Sequence, residues 1–222
     1  MTAFNIQVVS DTVCPWCFVG HRQLQQAIKL WHARHPESSD TFNIEFLPYQ
    51  LQPEFPRGPG KSVDKEAFLR AKFGDAHRLR ASERLTAIGA PLGIAFRFGG
   101  RVGNTRDSHR LIELAKAHGA DVANKTVEGI MSAYFEQERD ITTREVLGEV
   151  AAAAGIPAAD FRRAIVEGDE YGARVDEASA AAREGGVDGV PAFTIQDRFR
   201  WSGARDPEDF VKLLERVKQT SS

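Results

Sequence analysis

Two cysteines, Cys14 and Cys17, constrain this chain more than any other feature, because they are its only cysteines and stand three positions apart. The apolar and partly β-branched residues 4–9 before them predict a β-strand. Residues 15–35 after them have a single glycine, and no proline beyond the first position, so they predict an α-helix. The cysteine pair is therefore expected where a strand turns into a helix.

This position gives the two thiols different roles. The unpaired N–H groups and the dipole at a helix N-terminus favour negative charge, so we expect the pKa of the Cys14 thiol to lie below its free value of about 8.5. Cys17 lies one turn further on, within reach of a mixed disulfide formed at Cys14. The spacing predicts Cys14 as the nucleophile and Cys17 as the resolving thiol. Pro15, Trp16 and Asp11 complete the predicted active-site turn.

Other interpretations of a cysteine pair fit this chain less well. A closed structural zinc site needs four ligands, and the sequence has no second cysteine pair, so no metal is predicted. Two inert buried cysteines remain an alternative, because free cysteine is often buried. A structural disulfide closing so short a loop would add little stability. The pair placed between a strand and a helix favours redox chemistry.

The next segment predicts a second strand. Apolar side chains alternate along residues 41–48, and a strand, helix and strand in this order predict parallel pairing with the first strand. Residues 50–61 follow as a loop rich in proline and glycine. This loop is interpreted either as the lip of a site or as a plain linker into the next domain.

The remaining chain is predicted to be helical in the middle and mixed at its end. Residues 63–186 show helical patterns and no convincing strand. Residues 191–195 and 199–201 predict a hairpin, followed by a last helix from Asp206-Pro207 to Val217. The fold class is therefore α/β, with the order βαβ, helices, ββα. We predict these domains: 1–62, the N-terminal part of the sheet domain; 63–186, an all-helical insertion domain; and 187–222, the C-terminal part of the sheet domain.

Charge and hydropathy limit the partners. The net charge of −2 gives no reason to expect nucleic acid or an anionic membrane. The sequence has no apolar run of about 18 residues, and its start shows no pattern of a signal peptide. We therefore predict a cytoplasmic protein, where a cysteine pair is typically redox-active.

Three segments together carry a resemblance to a known family. They are Ser10-Asp11 with Cys14–His21, Asn104-Thr105 with His109-Arg110, and Gly186–Phe193, which reads Gly-Val-Asp-Gly-Val-Pro-Ala-Phe. With these segments the chain resembles the DsbA-like oxidoreductases, and most closely their FrnE-type branch. The resemblance implies a thioredoxin fold with a large all-helical insertion, acting on protein or peptide disulfides and thiols.

The same resemblance implies further site residues. Val190-Pro191 is expected to be a cis peptide bond beside the cysteines, with the Val190 backbone free to bind substrate. Asn104 and His109 are expected to face the cysteines across a cleft, and Phe18 to help bind substrate. No tightly bound cofactor is implied. Glutathione as a co-substrate and a homodimer are both compatible with the resemblance.

A second function stays open. The chain is also similar to kappa-class glutathione transferases and 2-hydroxychromene-2-carboxylate isomerases, so a glutathione-dependent enzyme acting on a small aromatic or polyketide-type molecule is the alternative. Those relatives typically carry serine where Cys14 stands, and a Ser-Asp pair where this chain has Gly203–Asp206. A redox-sensing binding module without turnover is the third hypothesis.

The sequence also raises the role of residues outside the cysteine motif. His21 lies one turn beyond Cys17, where it either favours the thiolate or has a structural role. Arg78, Arg80 and Arg84 are predicted to form a solvated helix face.

Overall fold

The structure of the chain is a computed structural model that describes residues 1–220. The strands within these residues are β1 Ala3–Ser10, β2 Thr41–Pro48, β3 Ser62–Asp64, β4 Arg101–Gly103, β5 Ala192–Ile195 and β6 Phe199–Ser202. The α-helices are α1 Pro15–Arg34, α2 Lys65–Phe73, α3 Asp75–Gly89, α4 Arg106–Ala117, α5 Ala120–Phe135, α6 Arg144–Ala154, α7 Ala158–Phe161, α8 Gly172–Glu184 and α9 Pro207–Thr220. A short 3₁₀ helix spans Ala90–Leu92, and a π-helical turn spans Arg162–Glu167.

The central sheet has four strands in the order β2–β1–β5–β6. Strands β1 and β2 run parallel, with Ala3 opposite Thr41. Strand β5 is antiparallel to β1 and forms a hairpin with β6. This arrangement confirms the predicted parallel pair, the predicted hairpin and the α/β class.

Alternate side chains of β1 point into the core on one face of this sheet. Phe4, Ile6 and Val8 are buried, whereas the residues between them are not. The Phe4 ring lies 5.0 Å from the ring of Trp31 on α1, and α1 packs in turn against α9. Because burial of such side chains contributes about 1.5–3 kcal/mol each, this alternation fixes which face of β1 points to the core.

The segment between β2 and β5 is mostly helical, but the prediction that it contains no strand was wrong. Strands β3 and β4 pair antiparallel, with Ser62 opposite Gly103. Three-residue strands are too short to show an alternating pattern. A side chain at Gly103 would meet the Lys61 carbonyl oxygen at 3.1 Å, so glycine lets these two strands approach.

The helical segment packs over the carboxyl ends of β1 and β2. His109 of α4 contacts Asp11, just after β1, and the carbonyl oxygen of Tyr49, just after β2. The Thr12 hydroxyl lies 2.8 Å from the Ser108 hydroxyl in the same region. The fold therefore brings the insertion against the loop that precedes the cysteines.

Candidate active site

The cysteine pair lies at the junction of β1 and α1. Cys14 is the N-cap of α1, with Pro15 as the first helical residue. The Cys14 N–H donates to the Asp11 carbonyl oxygen at 3.1 Å, and the Cys17 N–H donates to the Cys14 carbonyl oxygen at 3.0 Å. Both cysteines are free thiols. The predicted turn is therefore formed by the backbone, with the Cys14 sulfur at the helix N-terminus.

The two thiols lie in different surroundings. Both cysteines are buried, Cys14 at 5% and Cys17 at 2% exposure, but Cys14 lines a cavity and Cys17 does not border it. Burial raises the pKa of the Cys17 thiol well above its ordinary value, and the neighbouring Cys14 adds to the effect. Contacts with Ser10 and Asp11 oppose this rise without cancelling it. Cys17 is thus held as a protonated thiol behind Cys14.

The loop before β5 lies against Cys14. The Val190-Pro191 peptide bond is cis, as the resemblance implies. The Cys14 thiol donates to the Val190 carbonyl oxygen, with sulfur and oxygen 3.4 Å apart. Gly20 of α1 faces this loop, because a side chain there would meet the Pro191 ring at 3.0 Å and Phe193 at 3.1 Å. The structure therefore brings residues 176 positions apart to one site.

Pro15 and Trp16 form part of the cavity wall beside Cys14. The guanidinium of Arg84 lies 5.0 Å from the centre of the Trp16 ring, on the side of α3. Of the arginine face predicted to be solvated, Arg80 and Arg84 are exposed, whereas Arg78 is only 18% exposed and lines the cavity.

Asp11 and His109 meet beneath the active-site turn. His109 Nε2 lies 3.2 Å from Asp11 Oδ1 and 3.1 Å from the Tyr49 carbonyl oxygen. Because the carbonyl oxygen can only accept, Nε2 carries the proton. The other carboxylate oxygen of Asp11 accepts from the Leu51 N–H at 2.7 Å. The Asp11 side chain does not cap α1; it joins β1, α4 and the loop after β2.

Asn104 serves the loop after β2 rather than the cysteines. Its Nδ2 donates to the carbonyl oxygens of Pro53 and Phe55, and its Oδ1 accepts from Gln50 Nε2 at 3.0 Å and the Arg106 N–H at 2.9 Å. These contacts occupy the whole amide, which leaves no group for the substrate contact that the resemblance implies. Asn104 instead holds the 50–61 loop in place.

Phe18 is also placed in the core. It is fully buried, and its ring stacks on Phe135 at 5.8 Å and meets Phe96 edge-on at 6.1 Å. This position supports packing between α1 and the helical segment rather than the predicted contact with substrate.

His21, which follows the cysteine pair, contacts residues that hold the fold together. His21 is buried, and its Nε2 lies 3.2 Å from a carboxylate oxygen of Glu128 on α5. Burial works against ionisation of Glu128, but hydrogen bonds and charges from His21 and Arg22 outweigh it and lower the Glu128 pKa. His21 therefore ties α1 to the helical segment.

A cavity of about 340 Å³ opens beside Cys14. One wall is the active-site turn, and the 50–61 loop contributes Leu51 and Gln52, which favours the interpretation of that loop as a lip. The other walls come from the helical segment, and their aromatic and aliphatic members are Phe68, Leu69, Phe73, Leu85, Phe98, Val102, Tyr134 and Phe135.

Sequence reasoning did not identify the basic residues of this cavity. Lys65, Phe68, Leu69 and Lys72 follow one another at helical spacing and line the same cavity. The signal was a lysine on the apolar face of a helix. Lys65 is 4% exposed, and burial lowers its pKa to about 8, against a smaller opposing effect of the Glu138 charge.

Within residues 1–220, no group of three His, Cys, Asp or Glu side chains is arranged to hold a metal ion. Over the same residues, every helix is too short or too polar to cross a membrane.

Comparison with known proteins gives consistent matches over nearly the whole chain. The sequence profile described as DSBA-like thioredoxin domain matches residues 5–215. The crystal structure of a probable DsbA oxidoreductase from Streptomyces coelicolor is 26% identical, with a TM-score of 0.83, and the match covers 97% of this chain and 90% of that one.

Two other matches are more distant. The cytosolic disulfide reductase DsbM from Pseudomonas aeruginosa, solved with GSH, is 17% identical with a TM-score of 0.63, over 97% of this chain and 99% of that one. An uncharacterised protein of Bacillus subtilis is 24% identical over 95% of both chains.

Proposed function

The chain belongs to the family of DSBA-like thioredoxin domains, and on that premise we propose that it exchanges thiols and disulfides with Cys14 as nucleophile and Cys17 as resolving thiol. It is an enzyme of the thiol–disulfide oxidoreductase or isomerase kind. The observation that carries the assignment of roles is the asymmetry of the pair. Cys14 borders the cavity and contacts the Val190 carbonyl oxygen, whereas burial keeps Cys17 protonated behind it.

The exchange proceeds in two balanced steps. The Cys14 thiolate attacks one sulfur of a substrate disulfide, so that a mixed disulfide forms and the first substrate thiolate leaves. Cys17 then gives up its proton and attacks the Cys14 sulfur, which releases the second substrate thiolate and leaves a Cys14–Cys17 disulfide. Two electrons pass from the enzyme to the substrate. The same steps in reverse oxidise a substrate dithiol.

The cis-proline loop is proposed to position the substrate. The Val190 carbonyl oxygen lies 3.4 Å from the Cys14 sulfur. An extended substrate segment that pairs with the Val190 backbone would bring its own sulfur next to Cys14. Pro191 would define the edge of this surface, and Trp16 would cover the pair from the cavity side.

Reduction of insulin with dithiothreitol tests this proposal. Wild-type protein should accelerate the reaction, and Cys14→Ser should reduce the rate to that of dithiothreitol alone because the attacking sulfur is gone. Cys17→Ser should be slower than the wild type, since the mixed disulfide would then be resolved only by dithiothreitol. Full activity in Cys14→Ser would refute the assignment.

Glutathione is proposed as the thiol that returns the enzyme to its working redox state. The solved relative from Pseudomonas aeruginosa contains GSH and is described as cytosolic, and we propose the cytoplasm for this chain as well. Both cysteines of this chain lie in the active-site motif, so none is left for a structural disulfide. The homodimer stays a prediction.

The cavity favours one alternative, a glutathione-dependent isomerase or transferase that encloses a small molecule. Calorimetric titration with glutathione, on the reduced and the oxidised protein, separates the two functions. The alternative requires tight binding in both redox states, because glutathione would then be a bound cofactor rather than a partner in exchange.

A further inference from the structure

The cavity beside Cys14 has an uneven charge distribution. Its lining includes Lys65, Lys72, His77, Arg78 and Arg97, and none of the described residues that line it carries a carboxylate. The rest of the lining is largely aromatic and aliphatic. An apolar cavity of about 300–1,000 Å³ with a few polar groups is typical of small-molecule sites, and this cavity of about 340 Å³ lies in that range.

Lys65 is the group that indicates what the cavity binds. It is 4% exposed, and its ammonium forms one hydrogen bond, 3.5 Å long, to the Tyr134 carbonyl oxygen. The ammonium also lies 4.2 Å from the centre of the Tyr134 ring. Among residues 1–220, no carboxylate lies at ion-pair distance from it. A buried cation normally has a charged partner, so this ammonium has hydrogen-bond capacity to offer a ligand.

The neighbouring charges leave this capacity unused. Glu138 acts on Lys65 through its charge, but its carboxylate accepts the Gly99 N–H at 2.7 Å. Arg78 also lines the cavity, and its carboxylate partners, Glu66 at 3.2 Å and Asp75 at 3.6 Å, are more than half exposed. The buried Nε of Arg78 has no hydrogen-bond partner. Two cationic side chains therefore border the cavity with donors to spare.

Tyr134 adds a third polar group. Burial, together with the charges of Asp11 and Asp140, raises the pKa of its hydroxyl. The hydroxyl therefore stays a donor, and it forms no hydrogen bond with any described residue. Donors without acceptors on an apolar wall suit a ligand that has an apolar body and one anionic group.

We propose that this cavity binds a small thiol or disulfide with an apolar, preferably aromatic, body and a carboxylate or similar anionic group, its sulfur at Cys14 and its anion at Lys65. The proposal rests on the proposed function and names a substrate class for it. The chemistry is the exchange already described: the reduced enzyme gives two electrons to the small disulfide, and two small thiols leave.

Three disulfides that differ in one property each test this specificity. They are the disulfide of para-mercaptobenzoate, its neutral carboxamide analogue, and oxidised glutathione, which is anionic but polar. Single-turnover rates with the reduced enzyme are divided by the rates of the same disulfides with free dithiothreitol, which removes differences in intrinsic reactivity. After this correction the carboxylate should react at least about tenfold faster than the amide, because hydrogen bonds to charged groups are the stronger ones. It should also react faster than oxidised glutathione.

Variants of Lys65 assign the preference to that side chain. In Lys65→Met the ratio of carboxylate to amide rates should fall towards one, whereas Lys65→Arg should keep a preference for the carboxylate. Lys212→Met removes the same charge from the exposed surface of α9 and should keep the wild-type ratio. Circular dichroism of each variant verifies its fold. A wild-type ratio near one, or a ratio that Lys65→Met leaves unchanged, would overturn the proposal.

A binding experiment without exchange separates this inference from the proposed function. The thioether para-(methylthio)benzoate cannot exchange, so calorimetry with it reports the cavity alone. Wild-type protein should bind it at least about tenfold more tightly than Lys65→Met, and Lys212→Met should bind it like the wild type. Exchange without this binding would leave the enzyme function intact and remove the inference. Absence of exchange with all three disulfides and with insulin would overturn the proposed function, and the inference with it.

Discussion

Two buried ionisable side chains of the helical segment reach the active-site region, and their surroundings differ. His109 has two acceptors for one proton, Asp11 and the Tyr49 carbonyl oxygen. Lys65 has three ammonium hydrogens and one long hydrogen bond, to the Tyr134 carbonyl oxygen. Buried polar groups are normally satisfied within the protein. The His109 contacts therefore hold two parts of the fold together, whereas the ammonium of Lys65 keeps N–H donors that a ligand can use.

The largest expected effect comes from a variant that breaks the hydrogen bonds between Asp11, His109 and the loop after β2. Asp11→Ala removes one of the two acceptors of His109 Nε2 and also leaves the Leu51 N–H without its acceptor. Breaking one side of a buried pair typically costs about 3–5 kcal/mol, so we expect the free energy of unfolding to fall by about 4 kcal/mol. Urea denaturation measures the change.

A double-mutant cycle with His109→Ala sharpens this result. Because the two side chains contact each other, the double variant should lose less stability than the sum of the single variants, by about 2 kcal/mol. Additive losses would mean that the contact between Asp11 and His109 contributes nothing to the free energy of unfolding. His109 would then not differ from Lys65 in this respect.

The next effect concerns Lys65 and has the opposite sign. Burial lowers its pKa from 10.5 to about 8, so the unfolded chain holds a proton that the folded chain has lost between these values. At about 1.4 kcal/mol per pKa unit, holding the charged form costs about 3 kcal/mol below pH 8. We therefore expect Lys65→Met to be more stable than the wild type at neutral pH.

We also expect the difference in stability between Lys65→Met and the wild type to depend on pH. The stability advantage of Lys65→Met should be full below pH 8 and should shrink as the pH rises towards 10.5, where Lys65 is neutral in both states. Titrations common to both proteins, such as that of Cys17, cancel in the difference. Denaturation curves across this range give the measurement, and an advantage that grows with pH would contradict it.

The smallest effect tests the lip of the cavity. Asn104→Ala removes hydrogen bonds to Gln50, Pro53 and Phe55, and we expect a loss of about 2 kcal/mol. Gln50→Ala removes one of these contacts and should cost less than half as much. Limited proteolysis should cut the 50–61 loop faster in Asn104→Ala than in Gln50→Ala. Equal cleavage would show that Asn104 does not hold the loop.

Much of the site could be predicted because it is local in sequence. The positions of Cys14 and Cys17 follow from a strand, a short turn and a helix, which are all visible in the first 35 residues. The cis peptide bond at Pro191 followed from the resemblance and is present. The parallel pairing of β1 and β2 followed from the order of elements.

The contacts of the helical segment could not be predicted in this way. Lys65 is buried because Tyr134, 69 positions away, covers it, and nothing near Lys65 in the sequence signals that contact. Arg78 resembles any solvated helical arginine until α3 is placed beside Cys14. The three-residue strands β3 and β4 depend on the close approach at Gly103, which is a tertiary property.

The central claim, that Cys14 attacks and Cys17 resolves, is tested most directly by trapping the mixed disulfide. Reduced Cys17→Ser and Cys14→Ser are each mixed with an excess of a small disulfide, and the adducts are measured by intact-mass and peptide mass spectrometry. Cys14 borders the cavity, and burial holds Cys17 protonated. We therefore predict a rapid adduct on Cys14 in Cys17→Ser and almost none on Cys17 in Cys14→Ser. Equally fast adducts on both cysteines, or a faster one on Cys17, would contradict the account.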